Sequence, residues 1–197
     1  MTSGKLKSLL RNTQGVTIIE FAFAAPALLL LLFGFFDFGY RAYALSVLQG
    51  EVQKAGRDST LEGAGGATAS IDARIKTTVQ QVVKNGVFVF DRRAFVSFTR
   101  AGEAEIFTDA NSNGTRDSGE CYQDENGSGF WEDNAGVIGQ GGARDIVVYE
   151  VTVTFQRLFP MAGLLGLPNT QSISSSSVLR NQPFGDQTIR PIVSRCN

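Results

Sequence analysis

The chain has 197 residues, a net charge of −1 and no histidine. A balance this close to neutral leaves no cationic surplus to neutralise phosphates, which excludes nucleic acid as a partner. Without histidine the commonest general base and every His-dependent triad are absent, so the expectation is a protein that acts by interaction and is not an enzyme.

The chain opens on a basic leader. Met1 to Gly15 carries Lys5, Lys7 and Arg11 and no acid, and from Val16 to Phe36 the sequence is apolar except for Thr17 and Glu20. About 20 apolar residues cross a bilayer core. Cations placed just before such a run keep Met1 in the cytoplasm and send the C-terminus across. A removable signal peptide would end its apolar core at a small-residue cleavage site. Here the run passes into Asp37, Gly39, Tyr40 and Arg41 instead, which favours a retained anchor. Beyond it, Phe38, Ala42, Leu45, Leu48, Val52 and Ala55 recur at spacings of three and four, with Arg41, Ser46, Gln49, Gln53 and Lys54 on the other face. One helix therefore continues amphipathically until Gly63-Ala64-Gly65-Gly66 breaks it. Pro26 removes a hydrogen bond within the anchor, which membrane helices tolerate.

A carboxylate inside a membrane-length run costs about 3 kcal/mol even on lenient insertion scales, so it usually marks function. Glu20 follows Gly15 by five positions and is followed directly by Phe21. The basic leader, the glycine, this spacing and the Glu-Phe pair resemble the processing region of type IV prepilins. The likeness is greatest to the TadE-like pseudopilins of the tight-adherence (Tad, or Flp) pilus. It is strong over the first third of the chain and looser afterwards. The resemblance implies that a prepilin peptidase cuts between Gly15 and Val16. It further implies that Glu20, with Phe21 beside it, serves subunit assembly by neutralising the new Val16 ammonium of an adjacent subunit. On residue physics alone, Glu20 could equally reach back to the cytoplasmic headgroups.

The remainder reads as an exported body. Ser70 is positioned to cap a helix with Ile71, Ile75, Val79, Val82 and Val83 on its apolar stripe, ending at Asn85-Gly86. Residues 87–90 and 95–98 read as two strands around an Asp91-Arg92-Arg93 turn. From Ile146 to Phe155 the sequence alternates, with Val147, Tyr149, Val151, Val153 and Phe155 on one face, as a half-buried antiparallel strand does. Ser172 to Leu179 reads as the last strand; its run Ser174 to Ser177 is part of that strand and has no base to activate it. Between these two strands, Arg157 to Pro168 is an apolar segment punctuated by Gly and Pro. Two readings of it stay open: contact with membrane or another subunit, or a loop tucked against the core.

Asp109, Asn111, Asn113, Gly114, Asp117 and Glu120 fit D-x-N-x-N-G-x-x-D-x-x-E. Alternating side-chain oxygens, the Thr115 carbonyl and a bidentate Glu120 are the donor set of a calcium loop, and glycine at the sixth position permits its turn. The flanks read as strand ends, which points to a fixed structural ion rather than a sensor. A second run, Asp124, Asn126, Ser128, Gly129 and Glu132, starts alike but has Ala135 where the bidentate acid belongs. It reads as a weaker site or as extra ligands for the first. Cys121 and Cys196, in an exported domain, are expected to form a disulfide.

These readings give an α+β chain: a long N-terminal transmembrane and amphipathic helix, a second helix, and a pilin-like antiparallel β-sheet carrying a calcium-type loop. Its expected divisions are a leader at 1–15, the long helix at 16–62 and an exported domain at 63–197. The resemblance implies a minor pilin of the bacterial inner membrane, single-pass, with its C-terminal domain in the periplasm or displayed on a pilus. Its partners would be other pilins and pseudopilins, the Tad assembly platform, prepilin peptidase and membrane lipid, and adhesion would follow from assembly. A membrane-tethered, calcium-dependent binding module that never polymerises is the competing expectation.

Overall fold

Helix α1 runs from Val16 to Ser59 and continues through Pro26. The computed structural model describes residues 16–59, 68–159, 163, 166, 168–182 and 191–196. The leader through Gly15, the Gly63–Gly66 break, Pro183 and most of the stretch from Pro160 to Leu167 lie outside the described residues. Helix α1 is the one described helix long and apolar enough to cross a membrane, with a mean hydropathy of 2.3 over its richest window. Ile18, Phe21, Phe23, Leu28 to Leu32, Phe35 and Phe38 are all exposed along it. A soluble helix hides such a surface, so this one needs lipid or neighbouring helices to cover it.

The chain forms two compact units. The first takes the residues up to Ala42 together with Arg157–Thr170; the second takes Tyr43–Gln156 and Gln171–Asn197. In the second unit, α2 (Thr68–Gln80) follows α1, and a four-stranded sheet has the order β3-β1-β4-β5. Its strands are β1 (Val87–Phe95), β3 (Val137–Ile138), β4 (Ile146–Gln156) and β5 (Thr170–Arg180). Strands β2 (Cys121–Asp124) and β6 (Val193–Cys196) form a separate antiparallel ribbon. The architecture is α+β: a long N-terminal apolar helix, a second helix and antiparallel sheets.

The core follows the expected stripe of α1 from Leu48 onward, whereas Phe38 and Ala42 are exposed and Leu45 is half-buried. Ala44, Leu48, Val52 and Ala55 of α1 and Ile75 and Val79 of α2 are fully buried, as are Val147, Val151 and Val153 of β4. Gly56 lets α1 pack tightly on β5: a Cβ there would lie 2.6 Å from Ser177 Oγ. The end of α1 is held by its neighbours. Ser59 Oγ donates to the Gly56 carbonyl at 2.9 Å, and Gln140 Nε2 donates to the Ser59 carbonyl at 3.1 Å.

Three local expectations are corrected. Helix α2 begins at Thr68, so Ser70 sits in its first turn and is not its cap. Residues 91–93 are not a turn: β1 is one strand from Val87 to Phe95, paired in unbroken register with β4 from Val87↔Thr154 to Phe95↔Ile146. The charged triplet is accommodated because Arg92 lies opposite Tyr149 and finds an acid on α2. Residues 95–98 are not a second strand either, since Phe98–Arg100 is a short 3-10 turn.

Candidate functional site

Val16 is the first described residue and already helical; Gly15, the other side of the expected cleavage point, lies outside the described residues. Glu20 and Phe21 fall one turn into α1, and both are exposed, Phe21 at 66%. The carboxylate thus stands on the surface of an apolar helix, next to the side chains that must be covered.

In the first unit, Asp37 marks the end of the apolar run. Arg157 Nη1 lies 2.5 Å from Asp37 Oδ2, and the Leu158 backbone N–H donates to Asp37 Oδ1 at 3.2 Å. The same arginine closes the neck of the β4–β5 connection. Its Nε donates to the Pro168 carbonyl and its backbone N–H to the Asn169 carbonyl, at 3.1 and 2.8 Å. Phe159 then packs on Phe33 and Phe36, with ring centroids 4.7 and 6.3 Å apart.

The loop from Asp109 to Glu120 gathers the side chains singled out for calcium. Asp109 accepts the backbone N–H groups of Asn113 and Gly114 at 3.2 and 2.8 Å. The amides of Asn111 and Asn113 both donate to Asp117 Oδ2 at 2.7 Å. Glu120 closes the loop by accepting from the Ala110 and Asp117 N–H groups at 2.8 and 3.0 Å. Gly114 adopts φ +78°, the left-handed conformation that a side chain disfavours. The Gly114 N–H, followed by those of Asn113, Ser112 and Asn111, outweighs partial desolvation and holds the Asp109 carboxyl below its ordinary pKa. Thr115 bonds to Asn113 Oδ1 through its N–H and hydroxyl. Among the described residues, no group of three or more His, Cys, Asp or Glu side chains is assembled as a metal site. This loop's donors are instead mixed, acids with amides.

The second run folds as a different object. Asp124 is 1% exposed, and its carboxylate accepts the N–H groups of Gly127 and Gly129 while Arg195 Nε donates to it at 2.6 Å. Burial opposes ionisation of Asp124, but Arg195 and the two glycine N–H groups win and hold its pKa below the usual range. Asn126 bonds to Glu132, and Ser128 to the Phe130 carbonyl. The Arg195 guanidinium thus neutralises the Asp124 carboxylate. Beside it lies Glu105, 1% exposed, which receives the N–H groups of Glu125 and Glu132 at 3.0 and 3.3 Å. Burial, opposed by those hydrogen bonds, pushes its carboxyl pKa up.

The expected disulfide is present. Cys121 and Cys196 face each other across the β2–β6 ribbon and are bonded, closing a loop of sequence separation 75.

One cluster escaped the sequence analysis. Asp72 on α2 binds Arg92 on β1 through two hydrogen bonds, and the Tyr149 hydroxyl donates to Asp72 at 2.6 Å. The Arg92 guanidinium sits 4.1 Å from the Tyr149 ring centroid. Burial and the neighbouring Asp72 push the Tyr149 pKa up. All three groups satisfy one another, which makes this a structural lock between helix and sheet. A one-dimensional signal existed in part: Tyr149 was on the buried face of β4, but nothing local linked it to residue 72.

Residues 15–57 match the family model described as TadE-like protein. The match begins at Gly15 and covers all but the last two residues of α1. No curated protein and no solved structure matches the chain.

Proposed function

We propose, from the TadE-like segment at residues 15–57, that this protein is a minor pilin of a Tad (Flp) type IV pilus. It inserts by α1, is trimmed after Gly15, and packs α1 against the helices of other pilins and pseudopilins during assembly. The single observation that carries this reading is the coincidence of the matched segment with a helix whose apolar surface stands uncovered from Ile18 to Phe38. Glu20 neutralises the Val16 ammonium of a neighbour, which removes two isolated charges from lipid at once. The body faces the periplasm or the cell surface. Adhesion follows from assembly, and no reaction is assigned to the protein.

Within this reading, the Asp109–Glu120 loop is a structural calcium site. Support comes from all five oxygen-bearing side chains of the motif being drawn into one hydrogen-bonded loop around Gly114. Extracellular sites of this type bind at roughly 10⁻⁴–10⁻³ M.

The tethered binding module is the weaker alternative. A cavity near the second acidic turn, lined by Arg93, Asn126, Ser128, Glu132 and Ile138, holds about 210 Å³. Pockets for small ligands run from roughly 300 to 1,000 Å³. Substituting Gly15→Leu separates the two functions. A pilin variant keeps its leader and no longer supports pilus assembly; a tethered module is unchanged in mass and leaves piliation intact.

A further inference from the structure

The connection between β4 and β5 leads from a charged clamp to an apolar tip, and that change in character has a direction. Arg157 is neutralised by Asp37 at the end of the apolar run of α1, while Phe159, two residues on, packs against Phe33 and Phe36. Phe33 lies one turn before Asp37, about 6 Å along the helix axis. Residues 158–167 read Leu-Phe-Pro-Met-Ala-Gly-Leu-Leu-Gly-Leu, without a charged or polar side chain. Leu158 is 51% exposed although its backbone is held by Asp37.

We propose that this connection is a second membrane contact, in which Leu158 and Phe159 enter the acyl region of the outer leaflet beside α1. The inference rests on α1 crossing the bilayer. Given that, Asp37 stands at the boundary and Phe159 falls among residues that lipid must cover. The depth matches the ~5–10 Å by which interfacial apolar elements sink below the headgroups. Tyr40, Arg41 and Tyr43 follow Asp37 in the sequence, the residue types that favour the headgroup layer. Pairing Arg157 with Asp37 neutralises both charges where dehydration begins, which lowers the cost of holding them there. Continuity with α1 is the reason to choose lipid as the occupant: Phe159 extends a surface that already faces it.

The test uses the full wild-type chain in vesicles of phosphatidylethanolamine and phosphatidylglycerol, doped with a phospholipid carrying a diazirine high on its acyl chain. After photolysis, reduction and tryptic digestion, adducts are expected on the α1 peptide ending at Arg41 and on the peptide spanning 158–180. They are not expected on the peptide spanning 117–144, although it carries the exposed Phe130 and Ile138. Adducts on α1 alone overturn the loop proposal and leave the anchor standing. Their absence from both peptides removes the anchor and the proposal together. A second measurement places a single tryptophan at the tip, using Leu158→Trp in a Trp131→Phe background. Emission should shift to the blue and lose about half its intensity with lipids brominated high on the acyl chain, while acrylamide has little effect. Strong acrylamide quenching without bromolipid quenching overturns the proposal, and so does protection from both quenchers, which means protein covers the tip.

Discussion

The carboxylates of the N-terminal helix and those of the β-rich body look alike in sequence but have opposite surroundings. Glu20 is exposed among Ile18, Ile19, Phe21 and Phe23, which themselves are exposed. Asp72, Asp124 and Glu105 lie among partners that take up their charge or their lone pairs. In the body a carboxylate is a fastener, and its worth is read in stability. On the helix, Glu20 has no hydrogen bond or ion pair among the described residues, and the role proposed for it is read in assembly. Asp37, paired with Arg157, stands between the two kinds.

That contrast can be broken most severely at the helix. Glu20→Gln should abolish or strongly reduce piliation while leaving the thermal melting of the body unchanged. A lowered melting temperature with normal pili would reverse the assignment. The next largest effect belongs to the body. Replacing Cys121 and Cys196 by serine should destabilise it by about 4 kcal/mol, the chain-entropy value for a loop of this size, measured by urea unfolding with and without reductant. Wild-type protein under reductant should fall to the same midpoint.

Arg92→Met comes third, at about 3 kcal/mol, because it leaves Asp72 half-buried with Tyr149 alone. Tyr149→Phe should cost about 1 kcal/mol, the worth of one hydrogen bond. Equal costs for the two would mean that the Tyr149 hydroxyl, no less than the Arg92 ion pair, holds α2 to the sheet. An effect of similar size separates the two acidic turns. With a Kd near ~1 mM, about 10 mM calcium should stabilise the body by roughly 1.4 kcal/mol, a rise of about 3–5 °C in Tm. Asp109→Asn should lose that rise. Asp124→Asn should lower Tm with or without calcium and keep it. A wild-type Tm insensitive to both calcium and chelator would remove the ion from the first turn.

Much of this architecture is legible along the chain because its signals are local. The helical spacing of Ile71, Ile75 and Val79 gave α2, and the alternation from Val147 to Phe155 gave β4. The glycine, glutamate and phenylalanine at 15, 20 and 21 led to the TadE-like resemblance that the family-model match over residues 15–57 bears out. What stayed hidden depends on partners far along the sequence. Asp91-Arg92-Arg93 imitates a turn until Asp72 arrives from α2 to receive Arg92. Strand β6 is a four-residue edge with every side chain exposed; it has no periodic signal and is held by its disulfide and by Arg195 on Asp124. The second acidic run starts as the first does and differs in sequence at Ser128 and Ala135; that Arg195, 71 residues from Asp124, takes its carboxylate was not legible locally.

The most direct test of the central claim is the intact mass of the protein purified from its native membrane. A chain that is processed and assembled as proposed begins at Val16 and retains α1, so its mass equals that of residues 16–197 with one disulfide. A protein that still carries Met1 to Gly15, or one that has lost α1 altogether, contradicts the account.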